Sequence, residues 1–265
     1  MVRVATPVCH LFRDAATALS IVSVSDCLEG RDHYGIWTSQ ERLFHFEASI
    51  VNVWDFSDRM WVERIISERN DLELVSFHIA SCCSHPVLQG IMFLPGGETF
   101  SRERLLENGA ENLRWLKQLL KDRPAQIALE NNNYYPTEAY SHVTEPSFIH
   151  QLVDDNDVLF LFDLAHAHIS THNMGCPYLD YVGRLPLERT VQLHVSQWAV
   201  DDHGMAFDSH DLPGQALNHE ACSLVNQYGV EFITIEYYKD SGKLVSLLEN
   251  YRVMLGLGGV WVRNS

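Results

Sequence analysis

The stretch VLFLFDLAH, residues 158–166, is an unbroken apolar run from Val158 to Phe162 that stops at Asp163 and His166. A run this short, without polar alternation, reads as a strand buried on both faces, the kind found in parallel sheets covered by helices. A carboxylate at the end of such a strand is costly to bury unless a cation or hydrogen bonds compensate. Three more runs repeat the pattern: AQIALEN from Ala125 contains Glu130, TVQLHVSQ from Thr190 contains His194, and EFITIEYY from Glu231 contains Glu236. Four less regular runs precede them, RVATPV from Arg3, LSIVSVSD from Leu19, RLFHFEAS from Arg42 and LELVSFHIA from Leu72. Eight runs separated by helical spacing predict βαβ units. The expected fold is α/β, a closed (β/α)8 TIM barrel, for which about 250 residues are typical and 265 are present.

The segments between the runs carry the helical period. Leu105, Leu106, Leu113, Leu116 and Leu120 recur at helical intervals between Ser101 and Lys121. Thr144, Glu145 and Pro146 read as an N-cap with a first-turn acid and proline, opening a helix through Val153. Further helices are expected at about 57–69, 215–228 and 241–255, with the glycine-rich GLGG of 256–259 beyond the last. No internal repeat or linker interrupts the pattern, so one domain over residues 1–265 is expected.

The bulk chemistry narrows the partners. The formal charge is −16, from 19 basic and 35 acidic residues, which disfavours nucleic acid as a partner. No apolar run is long enough for a membrane span, and Arg13 and Asp14 interrupt any signal-peptide core, so no membrane association and a cytoplasmic location are expected. Cysteines at 9, 27, 82, 83, 176 and 222 form no Cys-x-x-Cys pair and fit reduced thiols. Cys82 and Cys83 read as packing residues before redox ones. Histidine, at 14 residues, exceeds what acid–base duty at one site requires.

In a parallel barrel the active face is the carboxyl end of the strands. There the sequence sets Glu130 on the fifth strand, Asp163 and His166 on the sixth, His194 on the seventh and Glu236 on the eighth. Asp208 and His210 lie between the last two. Singly, each is more often a loop residue, cap or salt-bridge partner. Together, carboxylates mixed with imidazoles suit iron, zinc or manganese, and seven groups exceed what one ion takes. His168 and His172 read equally as supporting groups or a surface loop, and Asn131, Asn132 and Asn133 as orienters of Glu130 or turn residues.

The set Glu130, Asp163, His194 and Glu236 resembles the ligand core of the endonuclease IV and xylose-isomerase-like barrel superfamily. ALEN at 128–131, FDLAH at 162–166, LHVS at 193–196, DSH at 208–210 and ITIEYY at 233–238 look like the metal motifs of the multinuclear non-heme iron-dependent oxidases. That family includes the oxidase of methanobactin synthesis and the cysteine-shortening enzyme of thiaglutamate synthesis. The resemblance covers roughly residues 42–240 and adds His45 in FHFEAS and His78 in SFHIAS as ligands, with His10 or His85 as stand-ins for His45. Where His166 stands, the methanobactin enzyme has Asn and the endonuclease has His.

The resemblance implies two or three iron ions of mixed ferrous and ferric state and dioxygen as co-substrate. It further implies a cysteine-containing ribosomally made precursor peptide as substrate, with a separate leader-binding protein as partner. Glu130 is the expected bridging ligand, its carboxylate having two oxygens, and Glu130, Asp163 and His194 are the residues expected to be catalytic. His45, His78 and Glu130 would share one ion, Asp163, His194 and Glu236 a second, and His166, Asp208 and His210 a third. Three rivals remain: a zinc-dependent phosphodiesterase at abasic DNA, a single-metal sugar isomerase or epimerase, and a binding protein on a degenerate barrel.

Overall fold

The computed structural model describes residues 1–36, 38 and 40–257. In chain order it contains β1 (Arg3–Pro7), α1 (Ala15–Val22), β2 (Cys27–Arg31), β3 (Glu41–Ser49), α2 (Phe56–Ser67) and β4 (Leu74–His78). A hairpin of β5 (Val87–Gln89) and β6 (Met92–Leu94) follows, then α3 (Arg102–Leu120), β7 (Gln126–Glu130), α4 (Pro146–Asp155), β8 (Leu159–Asp163), α5 (Leu164–Met174) and α6 (Tyr178–Val182). The chain continues through β9 (Thr190–Val195), the hairpin of β10 (Gln197–Val200) and β11 (Ala206–Asp211), α7 (Gln215–Tyr228), β12 (Phe232–Ile235) and α8 (Ser241–Met254). Eight strands close into a parallel barrel in the order β1-β2-β3-β4-β7-β8-β9-β12, with β12 returning to β1. The (β/α)8 TIM barrel expected from the periodic runs is the fold.

Seven of the eight expected strands fall on barrel strands; the second does not. LSIVSVSD is divided between the end of α1 and a turn. Asp14 caps α1 by accepting from the Thr17 amide at 2.8 Å, and Ala18 and Ile21, three apart, bury one helical face. The true second strand is CLEGR, which pairs Ala5 with Cys27 and Pro7 with Glu29. Its polar content hides it, because of its inward residues only Cys27 joins the apolar core, while Glu29 and Arg31 face the site.

Two smaller expectations also need correction. The DLAH of VLFLFDLAH leaves the strand after Asp163, which caps α5 by accepting from the His166 amide at 2.7 Å. His166 therefore sits in the first turn of a helix, not at a strand end. Thr144 does not cap α4: the cap position is Glu145, and the Thr144 hydroxyl donates instead to the Tyr140 carbonyl at 3.3 Å.

The remaining helices agree with their apolar periods to within two residues. On α3, Leu105, Leu113, Leu116 and Leu120 are buried, and Asn108 and Asn112 donate to the carbonyls of Val51 and Ile50, fixing the loop after β3. Gly256 follows α8 with φ of 68°, while Gly258 and Gly259 of the GLGG stretch lie outside the described residues. No helix among the described residues is long and apolar enough to cross a membrane.

Candidate metal centre

Strand period carries the expected residues to one place. Successive side chains on a strand alternate faces, so residues two apart share one. Glu29 and Arg31 on β2, Ser76 and His78 on β4, and Gln192 and His194 on β9 each occupy such a pair of positions. Glu130 and Asp163 end their strands, and Glu236 lies one residue past β12. Asp208 and His210 arrive on β11, whose register with β10 shifts between Gln197 and Trp198. His210 has φ of 44°, a left-handed conformation unusual for a residue with a side chain. A cavity of about 390 Å³ is lined by Arg31, His45, His78, Glu130, His166, Asp208, His210 and Glu236, among others.

Four groups of donor atoms lie close enough to surround an ion: His45, His78 and Glu130; Glu130, Asp163 and His166; Asp208, His210 and Glu236; and Glu29, His194 and Glu236. Glu130 belongs to two of them. Its Oε2 lies 2.6 Å from His78 Nδ1 and 3.5 Å from His45 Nε2, and its Oε1 lies 2.8 Å from His194 Nδ1. The Nε2 atoms of His45 and His78 are 2.8 Å apart. His210 Nε2 is 3.3 Å from Asp208 Oδ2 and 3.6 Å from Glu236 Oε2, and His166 Nε2 is 3.8 Å from Asp208 Oδ2. All nine expected residues thus meet at the mouth. The stand-ins do not: His10 and His85 are exposed and outside the cavity.

Neighbouring groups fix several of these side chains. His45 Nδ1 bonds the Ser76 hydroxyl at 2.9 Å, and His166 Nδ1 donates to the Asn131 carbonyl at 2.8 Å, so each ring turns Nε2 toward the cavity. The Asn131 side chain bonds both backbone groups of Asp163, at 2.9 and 3.0 Å; it orients Asp163, not Glu130. Ser196 donates to Asp208 at 2.9 Å. His168 and His172 touch none of the nine. His168 stacks on Tyr178 and bonds Glu220 at 3.0 Å, and His172 donates to the Gly204 carbonyl at 2.9 Å, bracing the β10–β11 hairpin. Cys82 and Cys83 are buried free thiols, their sulfurs 3.9 Å apart.

The electrostatics show a centre short of positive charge. Glu29, Glu130, Asp163 and Glu236 are all buried, with Asp208 half-buried beside them, while Arg31 is the permanently charged cation lining the cavity among the described residues. Burial pushes the Asp163 carboxyl well above the usual range despite the pull of His166. Burial also opposes charge on Glu130 and Glu236, but the histidines around the first, and His194 and Arg31 beside the second, hold both carboxyls low. The reverse balance acts on His166 and His194: burial resists their charge and the surrounding carboxylates outweigh it, raising both. Asp163 Oδ2 is buried without a hydrogen-bond partner, and Glu130 Oε2, though 2.6 Å from His78 Nδ1, makes no aligned hydrogen bond. Buried acceptors without donors, mixed with imidazoles, fit a set of divalent cations.

Glu29 and Arg31 were not among the expected residues. Arg31 Nη2 is ion-paired with Glu29 Oε1 at 2.5 Å and hydrogen-bonds Glu236. The available signal was the cap at Asp14, which moves the second strand forward to CLEGR.

The chain matches the family model described as RiPP precursor modification enzyme MbnB/TglH/ChrH over residues 58–250, well over half its length. It is similar to a UPF0276 protein of Acaryochloris marina, 28% identical over 113 residues, which are 43% of this chain and 40% of that protein. A UPF0276 protein of Shewanella oneidensis is 22% identical over 194 residues, 72% of this chain and 62% of its own length. The chain thus spans less than two thirds of these relatives. Among solved structures, the IOLI protein with a binding zinc atom aligns with a TM-score of 0.62 at 12% identity, covering 97% of this chain and 99% of that one. At that identity the likeness concerns the barrel alone.

Proposed function

Because the chain belongs to the RiPP precursor modification enzyme family MbnB/TglH/ChrH, we propose that it is a multinuclear non-heme iron-dependent oxidase that uses dioxygen to modify cysteine in a ribosomally made precursor peptide. The observation that carries this reading is the sharing of Glu130 between two donor groups at the mouth of the barrel. One carboxylate with its oxygens turned to different imidazoles is the arrangement a bridging ligand requires.

His45, His78, Glu130, Asp163, His166, His194, Asp208, His210 and Glu236 would hold two or three ions. Bound iron would supply one-electron redox chemistry with dioxygen and an affinity for thiolate. The protein's own part is geometric. Ser76 and the Asn131 carbonyl aim His45 and His166, the Asn131 side chain holds Asp163, and Ser196 holds Asp208. The cavity of about 390 Å³ admits a side chain with its flanking backbone, and Phe93 and Tyr238 on its wall offer apolar surface that limits water around a thiol.

A leader-binding partner protein is part of the proposal. The β5–β6 hairpin, which reaches the cavity through Phe93, exposes Val87, Leu88 and Ile91; the backbone of Phe93 on β6 is bonded to the Tyr140 and Thr137 hydroxyls, so β5 is the edge that strand addition would use. The six free cysteines fit a reducing cytoplasm.

The test is anaerobic purification with metal analysis, then exposure to oxygen with a cysteine-containing precursor peptide and its partner. Two or more irons per chain and an oxygen-dependent change in peptide mass are expected. Stoichiometric zinc, no oxygen uptake and nicking of abasic DNA would overturn the proposal in favour of a phosphodiesterase.

A further inference from the structure

His194 is engaged on both edges of its ring. Nδ1 lies 2.8 Å from Glu130 Oε1 and 3.5 Å from Glu236 Oε1, whereas Nε2 lies 3.1 Å from Glu29 Oε2. Glu29 is fully buried, and its surroundings leave it one role. Oε1 is ion-paired with the Arg31 guanidinium at 2.5 Å; Oε2 takes the side-chain amide of Gln192, with the Thr234 hydroxyl 3.5 Å away. The Gln192 nitrogen must be the atom facing Glu29, because its oxygen there would oppose a carboxylate oxygen. Gln192 Nε2 also lies 2.7 Å from Thr234 Oγ1 and 3.2 Å from His194 Nε2; its two hydrogens go to the shorter contacts, Glu29 and Thr234, which leaves none for His194. A carboxylate has only acceptors, so His194 can satisfy Glu29 only by carrying a proton on Nε2.

We propose that Glu29, pinned by Arg31, is the positioning residue of His194: it accepts the Nε2–H and so turns Nδ1 toward Glu130 and Glu236 as the metal-binding nitrogen. Glu29 could instead be a ligand, since its oxygens lie near His194 and Glu236. Two observations argue otherwise. The two nitrogens of one ring point in different directions, so an ion held by Nδ1 lies on the far side of the imidazole from Glu29. Arg31 also bonds Glu29 and Glu236 together, placing a fixed cation where an ion shared by those two carboxylates would sit. A carboxylate behind a ligating histidine fixes its tautomer and raises its basicity, and losing such a partner weakens metal binding by roughly 10–100-fold.

This inference rests on the metal-centre reading, and the experiment separates the two. Wild type, Glu29→Gln and Glu29→Ala are loaded with zinc, bound zinc is counted, affinity is measured by chelator competition, and ring nitrogens are read by 15N NMR on histidine-labelled protein. Wild-type His194 is expected to show protonated Nε2 and coordinated Nδ1. Glu29→Gln keeps the acceptor without the charge; it should bind the same number of ions, one of them about 10-fold more weakly. Glu29→Ala should weaken that ion by about 100-fold and lose the slowly exchanging Nε2–H signal. If the alanine variant does not fold, the glutamine variant decides. Loss of a whole zinc equivalent in Glu29→Gln would make Glu29 a ligand, and unchanged affinity in either variant would remove its role. A wild-type protein that binds neither zinc nor iron would overturn the metal-centre reading and this inference together.

Discussion

At the amino end of the barrel, Ala5, Cys27, Leu43, Leu74, Ala128, Leu161, Val191 and Phe232 form an apolar cluster with one residue from each strand. At the carboxyl end the same strands present Glu29, His45, Glu130, Asp163 and His194. On four strands the change takes two residues, Cys27 to Glu29, Leu43 to His45, Ala128 to Glu130 and Leu161 to Asp163, or about 6.6 Å along the strand. One end stabilises by burying apolar surface; the other gathers charge that burial disfavours. A single scaffold can do both because inward positions recur every second residue, and each layer is chosen independently.

That contrast predicts opposite phenotypes. Glu130→Gln should abolish turnover and remove more than one metal equivalent, while the metal-free protein still folds, losing only the attraction between that carboxylate and the histidines around it. Metal analysis beside chemical denaturation checks this, and loss of a single ion would count against bridging. Two residues from Asp163, Leu161→Ala at the apolar end should do the reverse, costing about 2–5 kcal/mol in denaturation while the folded fraction keeps its metal content.

A smaller effect probes the boundary between the two layers. At Gly30 a Cβ would lie 2.6 Å from Phe44 Cδ2 and 3.0 Å from Glu41 Oε2. Gly30→Ala should cost about 1–3 kcal/mol by overpacking and, by shifting β2, also weaken metal binding; intact affinity would show that β2 is not coupled to the centre.

The smallest effect lies outside the barrel. Glu220 accepts from His168 at 3.0 Å and from Tyr178 at 2.5 Å beneath the hairpin carrying Asp208 and His210. Burial opposes its charge, but these donors prevail and hold its carboxyl below the usual 4.5. A lowered native value means that its stabilisation is complete above about 4.5 and is lost as pH falls through the native value. Glu220→Gln should cost about 1 kcal/mol at neutral pH and flatten the acid limb of a stability profile; an unchanged limb would rule Glu220 out.

Legibility in the sequence followed the same division. Strands β7, β8, β9 and β12 could be read because their outward faces are apolar and covered by helices, so the run of Val158–Phe162 survives the charged ending at Asp163. CLEGR could not, because a short strand with Glu29, Gly30 and Arg31 on it has no apolar signature left, while LSIVSVSD beside it has too much. The same error hid Glu29 and Arg31. The β5–β6 hairpin escaped for a different reason: its side chains are exposed or half-buried, and it interrupts the alternation of strand and helix.

By itself the sequence determined the barrel and brought Glu130, Asp163, His194 and Glu236 to its mouth, because strand period and the carboxyl-end rule are local properties of the chain; His45 and His78 came from the family resemblance. Which atoms face one another was decided only by tertiary structure. The sharing of Glu130, the aim of His166 from a helix turn and the placement of Glu29 behind His194 depend on bringing together strands up to 165 residues apart, and no local pattern records that register.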